Sequence, residues 1–334
     1  MTLLQDPLQG SLKDRFGRTK RKLRVSLTDR CNFRCPYCMP EHPEWLPKDA
    51  LLTDTERFRL LDLFVATLGI THLRLTGGEP LLRNDLAERI AEFGVLRDAG
   101  VERIALTTNG HLLAERALEL KNAGLDDLNV SLDALSPAAF HVLSGGKGDV
   151  ARVLEGILAA KRVGLPVKLN TVVMRGYNED EILPLARWAG EHDLPLRLIE
   201  FMPLDGGGQW RADRVVNEAE ILNVLAREFH VTAEPETDDP ARYYRLDGRY
   251  RVGIISTISR PFCTRCDRLR LTADGRLFAC LFSAEGFDLR TLLRRGGSDT
   301  EVCTAIRDQV WRKDAGYAAT GYVERPITMH ALGG

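Results

Sequence analysis

Short strand-like runs alternate with helix-like stretches through the first two thirds of the chain, and this alternation constrains the fold more than any other feature. The strand-like runs are 24–28, 72–76, 103–107, 128–132, 167–173 and 196–201. Strands that are separated by helices predict parallel pairing with right-handed crossovers. Six successive units predict an α/β fold, an incomplete (βα)6 TIM-like barrel, whose functional side chains lie at the C-terminal ends of the strands.

Helix signals occur where this barrel needs its crossovers. Thr53 and Glu56 have the spacing of a capping box, and the helix that they begin is expected to end at Gly69. The next helix is expected after Asp85 and is expected to stop at Gly100. The patterns over 150–163 and 179–192 predict two more helices.

The pattern changes after residue 205. A helix is predicted over 217–229, the segment 233–242 is acidic and contains proline, and strands are predicted from residue 250. Asp274-Gly275 between alternating apolar runs predicts a β-hairpin. We therefore expect a partial barrel over 1–205 and a smaller C-terminal α+β region over 206–334 that closes the barrel mouth.

Composition excludes several classes of protein. The chain has 334 residues, a net charge of −1, 44% hydrophobic and 28% charged residues, which are close to globular averages. Its longest apolar run, 277–282, is far shorter than the ~18 residues of a membrane span. The first residues lack the apolar region of a secretory signal, so a cytoplasmic location with reduced thiols is expected.

Six of the seven cysteines fall into two triads, and only Cys303 stands apart. The first triad has the spacing Cys-x3-Cys-x2-Cys and follows the first predicted strand; its members are Cys31, Cys35 and Cys38. Three thiolates from one loop can hold three corners of a [4Fe–4S] cluster and leave the fourth iron open for amine and carboxylate groups. The alternative is a structural zinc site, for which only His42 lies nearby as a fourth ligand.

The second triad has the spacing Cys-x2-Cys-x13-Cys and consists of Cys263, Cys266 and Cys280. A Cys-x2-Cys knuckle followed by one more ligand also describes many zinc ribbons. Spacing alone therefore leaves zinc and an iron–sulfur cluster open at this triad.

The segment CNFRCPYC resembles the signature of the radical S-adenosylmethionine (SAM) superfamily. The resemblance implies that the open iron chelates SAM and that one electron cleaves it to methionine and a 5′-deoxyadenosyl radical. TGGEP at 76–80 resembles the motif that holds the SAM amino group. By resemblance the SAM-binding residues are Tyr37, Gly78, Glu79, Ser131 and Met202.

FCTRCDRLRLT…FAC, the opening RFGRTKRKLRVSLTDRCNFRC and TTNG together resemble the GTP 3′,8-cyclase family, over nearly the whole chain. This resemblance implies a second [4Fe–4S] cluster whose open iron binds guanine. It also implies conversion of GTP to (8S)-3′,8-cyclo-7,8-dihydroguanosine 5′-triphosphate, the first step of molybdenum cofactor (molybdopterin) biosynthesis.

A nucleoside triphosphate needs cations at the barrel mouth. The residues that the family resemblance assigns to GTP are Arg24, Arg74, Thr107, Lys168, Arg197, Arg268, Leu269 and Arg270. Arg268 and Arg270 lie on one face of a strand and suit a paired clamp, and the resemblance also gives them catalytic roles together with the terminal glycines Gly333 and Gly334. His72 departs from the lysine expected in some relatives.

Two other functions remain open. One is a different radical SAM enzyme with an auxiliary cluster that acts on a peptide, and the other is a non-enzymatic metal-binding module. The basic stretch 13–24 could also be a nucleic-acid arm, but no basic stripe accompanies it, so no nucleic acid is expected. The expected partners are GTP, an external electron donor and the next molybdopterin-pathway enzyme; a homodimer is left open.

Overall fold

The computed structural model describes residues 10–205, 208–317 and 328–333. Within these ranges twelve strands form one sheet. The strands are β1 (Lys22–Ser26), β2 (His72–Thr76), β3 (Arg103–Thr108), β4 (Asp127–Ser131), β5 (Val167–Val173), β6 (Leu196–Glu200), β7 (Val231–Ala233), β8 (Arg242–Leu246), β9 (Tyr250–Ile255), β10 (Arg268–Leu271), β11 (Arg276–Phe278) and β12 (Phe287–Asp288).

The α-helices of the described ranges cover one face of this sheet's parallel part and the C-terminal region. They are α1 (Asp54–Asp62), α2 (Leu86–Gly94), α3 (Leu113–Asn122), α4 (Pro137–Leu143), α5 (Val150–Arg162), α6 (Ile182–Glu191), α7 (Glu218–Leu225), α8 (Leu289–Arg294) and α9 (Asp299–Trp311). A π-helical turn, Leu63–Thr67, continues α1. The capping box predicted at Thr53 and Glu56 is present, and Gly69 follows the end of this helix with a φ of 74°.

Strands β1 to β6 pair in parallel in chain order, which confirms the partial (βα)6 barrel. Alternate residues of β5 show how each strand serves both sides of the sheet. Leu169 is fully buried against the helices, whereas Lys168 and Asn170 line the cavity inside the barrel. The cavity side of the sheet therefore carries the polar side chains.

Strands of the C-terminal region extend this sheet at both edges. β10 pairs in parallel with β1, and β9 pairs in parallel with β6. Antiparallel β11 and β12 continue beyond β10, and β8 and β7 continue beyond β9. The division of the sequence at 205/206 thus separates two segments whose strands share one sheet.

Two parts of the C-terminal region differ in how well the sequence predicted them. The hairpin at Asp274-Gly275 is present, with Arg270 opposite Phe278 and Gly275 at a φ of 82°. The acidic segment 233–242 connects β7 to β8, two strands that the sequence analysis missed because it predicted strands only from residue 250. Among the described helices, none combines the length and the apolar character of a membrane span.

Candidate active site

A cavity of about 460 Å³ lies inside the barrel, within the size range of ligand sites. All six triad cysteines line it, so the fold brings together two cysteine groups that are far apart in sequence. All seven cysteines lie in the described residues and are free thiols. No three His, Cys, Asp or Glu side chains of the described residues are placed to share one metal ion, which is compatible with a cluster because its thiolates bind different irons.

The first triad lies in the loop that follows β1. Burial raises the pKa of Cys31 to about 11 and raises the pKa of Cys35 and Cys38 well above the ordinary value of a thiol. The backbone N–H of Phe33 lies 3.4 Å from Cys31 Sγ, and no described lysine contacts these sulfurs. At Cys31 burial outweighs the opposing positive charge of Arg34. These thiols ionise when a metal centre supplies further positive charge, so the residues fit a cluster.

The glycine pair of the 76–80 motif packs against the chain's own backbone. A Cβ at Gly78 would lie 2.2 Å from the carbonyl oxygen of Arg30, and one at Gly77 would lie 2.5 Å from that of Thr28. The Glu79 N–H donates to the Arg30 oxygen at 2.7 Å. The two glycines therefore bring Glu79 against the first cysteine loop.

Glu79 is buried and accepts three hydrogen bonds. Its donors are the Thr108 hydroxyl at 2.7 Å and the backbone N–H groups of Asn109 (2.7 Å) and Leu81 (2.9 Å). Burial outweighs these bonds and raises the pKa of Glu79 to about 7. A buried carboxylate without a cation in contact is suited to accept a ligand ammonium group.

Tyr37 and Asp133 form a hydrogen-bonded pair on the cavity wall. The Tyr37 hydroxyl donates to Asp133 Oδ2 at 2.6 Å, and the Val172 N–H donates to Oδ1 at 2.8 Å. Burial raises the pKa of Asp133 to about 6. Ser131 and Met202 also line the cavity. Asp133 was missed in the sequence, although its position two residues after Ser131 places both on one face of an extended chain.

The second triad differs electrostatically from the first. Cys266 lies two residues before β10, and burial there is opposed by the positive charges of Arg268 and Lys313, which lower its pKa to about 6. The Lys313 ammonium lies 3.3 Å from Cys266 Sγ. The neighbouring positive charges therefore favour the thiolate form of Cys266.

Three arginines line up across neighbouring strands at one side of the cavity. Arg270, Arg24 and Arg74 are register partners on β10, β1 and β2. Burial and then the guanidiniums of Arg270 and Arg74 hold the pKa of Arg24 well below its usual value. Burial likewise lowers the pKa of Arg74 to about 10 and that of Arg270 to about 9.

The other predicted cations join this group. Lys168, Arg197 and Arg268 line the same cavity, and burial lowers the pKa of Lys168. Arg74 Nη1, Thr107 Oγ1 and Asn129 Oδ1 are buried and have no hydrogen-bond partner in the described part of the chain. Crowded cations with unused polar groups form a site for a polyanion.

Arg103 is a cavity-lining cation that the sequence did not single out. It is the register partner of His72 and lies 2.5 Å from Asp127, which also lies 3.7 Å from Arg74. Asp127 is buried and therefore orients two arginines at this end of the barrel. His72 lines the cavity as well, but burial lowers its pKa, so Arg103 is the stronger cation there.

The described end of the C-terminal tail enters the cluster of cations. The Thr76 hydroxyl donates to the Gly333 carbonyl oxygen at 2.8 Å, and Arg24 donates to the same oxygen at 3.3 Å. Arg270 donates to the Leu332 carbonyl oxygen at 3.3 Å. Carbonyl oxygens of the tail thus contact two of the three aligned arginines.

Gly333 occupies a position that no side chain would fit. Its φ is 86°, and a Cβ would lie 2.3 Å from Ser26 Oγ. Gly334 lies outside the described residues. Leu269, also predicted to bind GTP, is fully buried in the hydrophobic core, because it faces the opposite side of β10 from Arg268 and Arg270.

A partial βα barrel whose first strand leads into a cavity-lining Cys-x3-Cys-x2-Cys loop defines the radical SAM class. Residues 25–189 match the Radical SAM superfamily, and residues 194–319 match Molybdenum Cofactor Synthesis C. The crystal structure of Streptococcus suis SuiB bound to S-adenosylmethionine is similar with a TM-score of 0.56 and 12% identity, covering 83% of this chain and 64% of that chain.

Two curated relatives named GTP 3′,8-cyclase match almost end to end. The one from Streptomyces coelicolor is 46% identical over 97% of this chain and 96% of its own length. The one from Mycolicibacterium smegmatis is 44% identical over 98% of this chain and 93% of its own length. The chain belongs to the GTP 3′,8-cyclase family.

Proposed function

We propose that this chain converts GTP to (8S)-3′,8-cyclo-7,8-dihydroguanosine 5′-triphosphate, the first step of molybdenum cofactor biosynthesis, with one [4Fe–4S] cluster on each triad. Membership of the GTP 3′,8-cyclase family supports this proposal. The observation that carries it is the row of buried arginines, Arg270, Arg24 and Arg74, in the same cavity as both triads. A triphosphate offers phosphate groups as partners for this concentration of positive charge, whereas a peptide backbone offers none.

Cys31, Cys35 and Cys38 hold the first cluster in this proposal. When bound, that cluster supplies the electron that cleaves SAM to methionine and a 5′-deoxyadenosyl radical. The buried carboxylate of Glu79 accepts the SAM ammonium group, because it has no cation of the described chain in contact. The remaining contacts come from Tyr37, Gly78, Ser131 and Met202, of which all four line the cavity.

The second triad holds the guanine end of GTP in this proposal, and the cations hold its triphosphate. Cys263, Cys266 and Cys280 leave one iron of a cluster open for the base. Thr107 offers a buried hydroxyl without a partner in the described residues. The phosphates are bound by Arg24, Arg74, Lys168, Arg197, Arg268 and Arg270, with Arg103 as an addition from the structure.

Fixing GTP at both ends determines which ribose carbon faces the deoxyadenosyl radical. The 5′-deoxyadenosyl radical takes the hydrogen atom from C3′, and the new bond joins C3′ to C8 of the same molecule. One electron from the external donor and one proton, added at N7, then complete the 7,8-dihydro product, which is an isomer of GTP. Gly333 and Leu332 close part of the cavity beside Arg24 and Arg270, which helps exclude water from a reactive radical. Arg268 and Arg270 are the residues to which we assign catalytic charges.

Anaerobic incubation with SAM, a reductant and GTP tests the proposal. We expect a product isomeric with GTP by mass spectrometry, because ring closure rearranges hydrogen without adding atoms. Reconstituted protein is expected to hold about eight irons and no zinc. About four irons, or consumption of SAM without a GTP isomer, would contradict it; the same incubation with ATP is the control.

The wider context of the enzyme is also proposed. Reduction of the first cluster requires an external electron donor, and the product passes to the next molybdopterin-pathway enzyme. A cytoplasmic location follows from the reduced cysteines that both clusters need. A homodimer remains a proposal without a surface to support it.

A further inference from the structure

Two cations of the basic stretch 13–24, Lys20 and Arg18, face the second cysteine triad. Lys20 is fully buried, and its ammonium donates to the Cys266 carbonyl oxygen at 2.7 Å. Arg18 donates to the Cys263 carbonyl oxygen, also at 2.7 Å. Asp14 holds both cations through Oδ2, at 2.6 Å from Arg18 and 2.8 Å from Lys20. These contacts give the stretch a role that does not involve nucleic acid.

The segment that follows α9 reaches the same triad from the other end of the chain. Arg18 donates to the carbonyl oxygens of Asp314 and Ala315 at 2.7 Å each. Gly316, with a φ of 133°, passes so close that a Cβ there would lie 2.6 Å from Cys263 Sγ. The N-terminal stretch and this segment together enclose the triad.

Lys313 is the decisive residue of this enclosure. Its side chain is 4% exposed, and its ammonium contacts Cys266 Sγ at 3.3 Å and the Arg268 carbonyl oxygen at 3.5 Å. No carboxylate of the described residues forms an ion pair with it. A buried ammonium needs a negative partner, and the sulfur of Cys266 is the group in position to provide it.

The first triad has no ammonium group of the described residues beside its sulfurs. The backbone N–H of Phe33 donates to Cys31 Sγ at 3.4 Å, and the positive charge that acts on Cys31 is the guanidinium of Arg34. Hydrogen bonds to cluster sulfurs and local charge are the levers by which proteins set the potential of iron–sulfur centres. An ammonium beside only one of two triads makes their electrostatic environments unequal.

We propose that Lys313 is a positioning residue for the second cluster, which holds the charge of Cys266 and raises the reduction potential of that cluster above that of the first. Lys20 and Arg18 anchor the backbone of the same triad. This inference rests on the proposed function, because it requires a cluster on the second triad.

The test separates the two clusters by mutation. The background is full-length protein with Cys35→Ala, which retains only the second cluster. In this background Lys313→Met is compared with unchanged Lys313 by redox titration monitored by electron paramagnetic resonance. We expect the reduced-to-oxidised ratio at a fixed potential to fall about tenfold, which is about 59 mV for one electron. Lys313→Arg is expected to retain the parental potential, because it keeps the charge.

Two controls make the result specific. Lys13→Met removes an exposed lysine of the same basic stretch and is expected to leave the potential unchanged. Lys313→Met in a Cys263→Ala background, which retains the first cluster, is expected to leave that cluster's potential unchanged. The proposal would be overturned if Lys313→Met left the reduction potential of the second cluster unchanged, or if it shifted the potentials of both clusters equally.

Iron content distinguishes the remaining outcomes. If Lys313→Met loses the second cluster while Lys313→Arg keeps it, the charge of residue 313 holds the triad together and the proposal stands; equal loss in both variants overturns it. Failure of the parent chain to exceed about four irons instead contradicts the proposed function itself, whatever Lys313 does.

Discussion

Arg24 on β1 and Arg270 on β10 are register partners on adjacent parallel strands, and both guanidiniums enter one cavity. Their mutual repulsion, added to burial, disfavours the ligand-free protein. A bound triphosphate relieves that repulsion, so affinity for GTP is gained at the expense of stability without it. The first prediction follows from this relationship.

Arg270→Met is expected to stabilise the ligand-free chain and to weaken GTP binding. Loss of one buried positive charge should raise the free energy of unfolding by about 1 kcal/mol. Loss of a charge-assisted contact should weaken GTP binding about tenfold or more. Thermal unfolding and calorimetric titration measure the two effects, and Arg162→Met, at the exposed end of α5, is the matched control. A lower free energy of unfolding of ligand-free Arg270→Met would show that repulsion between Arg24 and Arg270 does not destabilise the parent.

The two triads are expected to fail differently when they are mutated. Cys35→Ala should abolish 5′-deoxyadenosine formation, because the first triad then cannot hold its cluster. Cys280→Ala should impair cyclisation much more than it impairs iron loading at the first triad. Product analysis together with iron content distinguishes the variants. Cleavage of SAM at the parental rate by Cys35→Ala would show that the first triad is wrongly assigned.

Gly333→Ala is expected to abolish or strongly reduce cyclisation while iron content stays at the parental level. The added Cβ would overlap Ser26 Oγ, so the tail would leave its place beside Thr76 and Arg24. Gly164→Ala is the matched control, because its φ of 76° imposes the same backbone strain while nothing lies within 4 Å of its Cβ. Similar cyclisation activity of Gly333→Ala and Gly164→Ala would mean that the overlap with Ser26 Oγ does not affect catalysis.

Glu79 is expected to make folding less stable as the pH rises. Burial raises its pKa from 4.5 to about 7, so between these values the folded chain keeps a proton that the unfolded chain has lost. At about 1.36 kcal/mol per pKa unit, the stability lost across this window is up to about 3 kcal/mol.

Glu79→Gln should flatten that dependence, because an amide does not titrate. Urea unfolding of the metal-free chain at about pH 5 and about pH 8 gives the change in the free energy of unfolding with pH, which is compared between variant and parent. Exposed Glu155→Gln is the control and should follow the parent. An equal change in the free energy of unfolding with pH in Glu79→Gln and in the parent would exclude Glu79 as the titrating group.

The sequence predicted those parts of the structure that depend on local patterns. The six barrel strands agree within about two residues at their ends, because alternating helical and extended periodicities are local signals. The first triad lies within one loop, so its spacing indicated a shared metal site, and the family resemblance then favoured a [4Fe–4S] cluster over zinc. β7 and β8 were missed because they flank an acidic, proline-containing segment, whose composition does not suggest strands. In the structure β8 pairs with β7 and buries Tyr243 and Leu246.

The relationships that complete the site could not be predicted, because they join residues far apart in sequence. The family resemblance assigned Arg24 and Arg270 to the same ligand, but no local pattern indicates that they are register partners on adjacent strands. Nor does any local pattern indicate that Lys313 contacts Cys266. Arg103 was missed because its importance depends on Asp127 and on its register with His72. Such pairings depend on strand order rather than on composition.

The pairing of β1 with β10 has a consequence for how the protein is made. When the ribosome has delivered the six barrel strands, one edge of β1 still has unpaired backbone groups, and it keeps them until residues Arg268–Leu271 emerge. Complete hydrogen bonding of β1 is therefore a property of the finished polypeptide rather than of the nascent one.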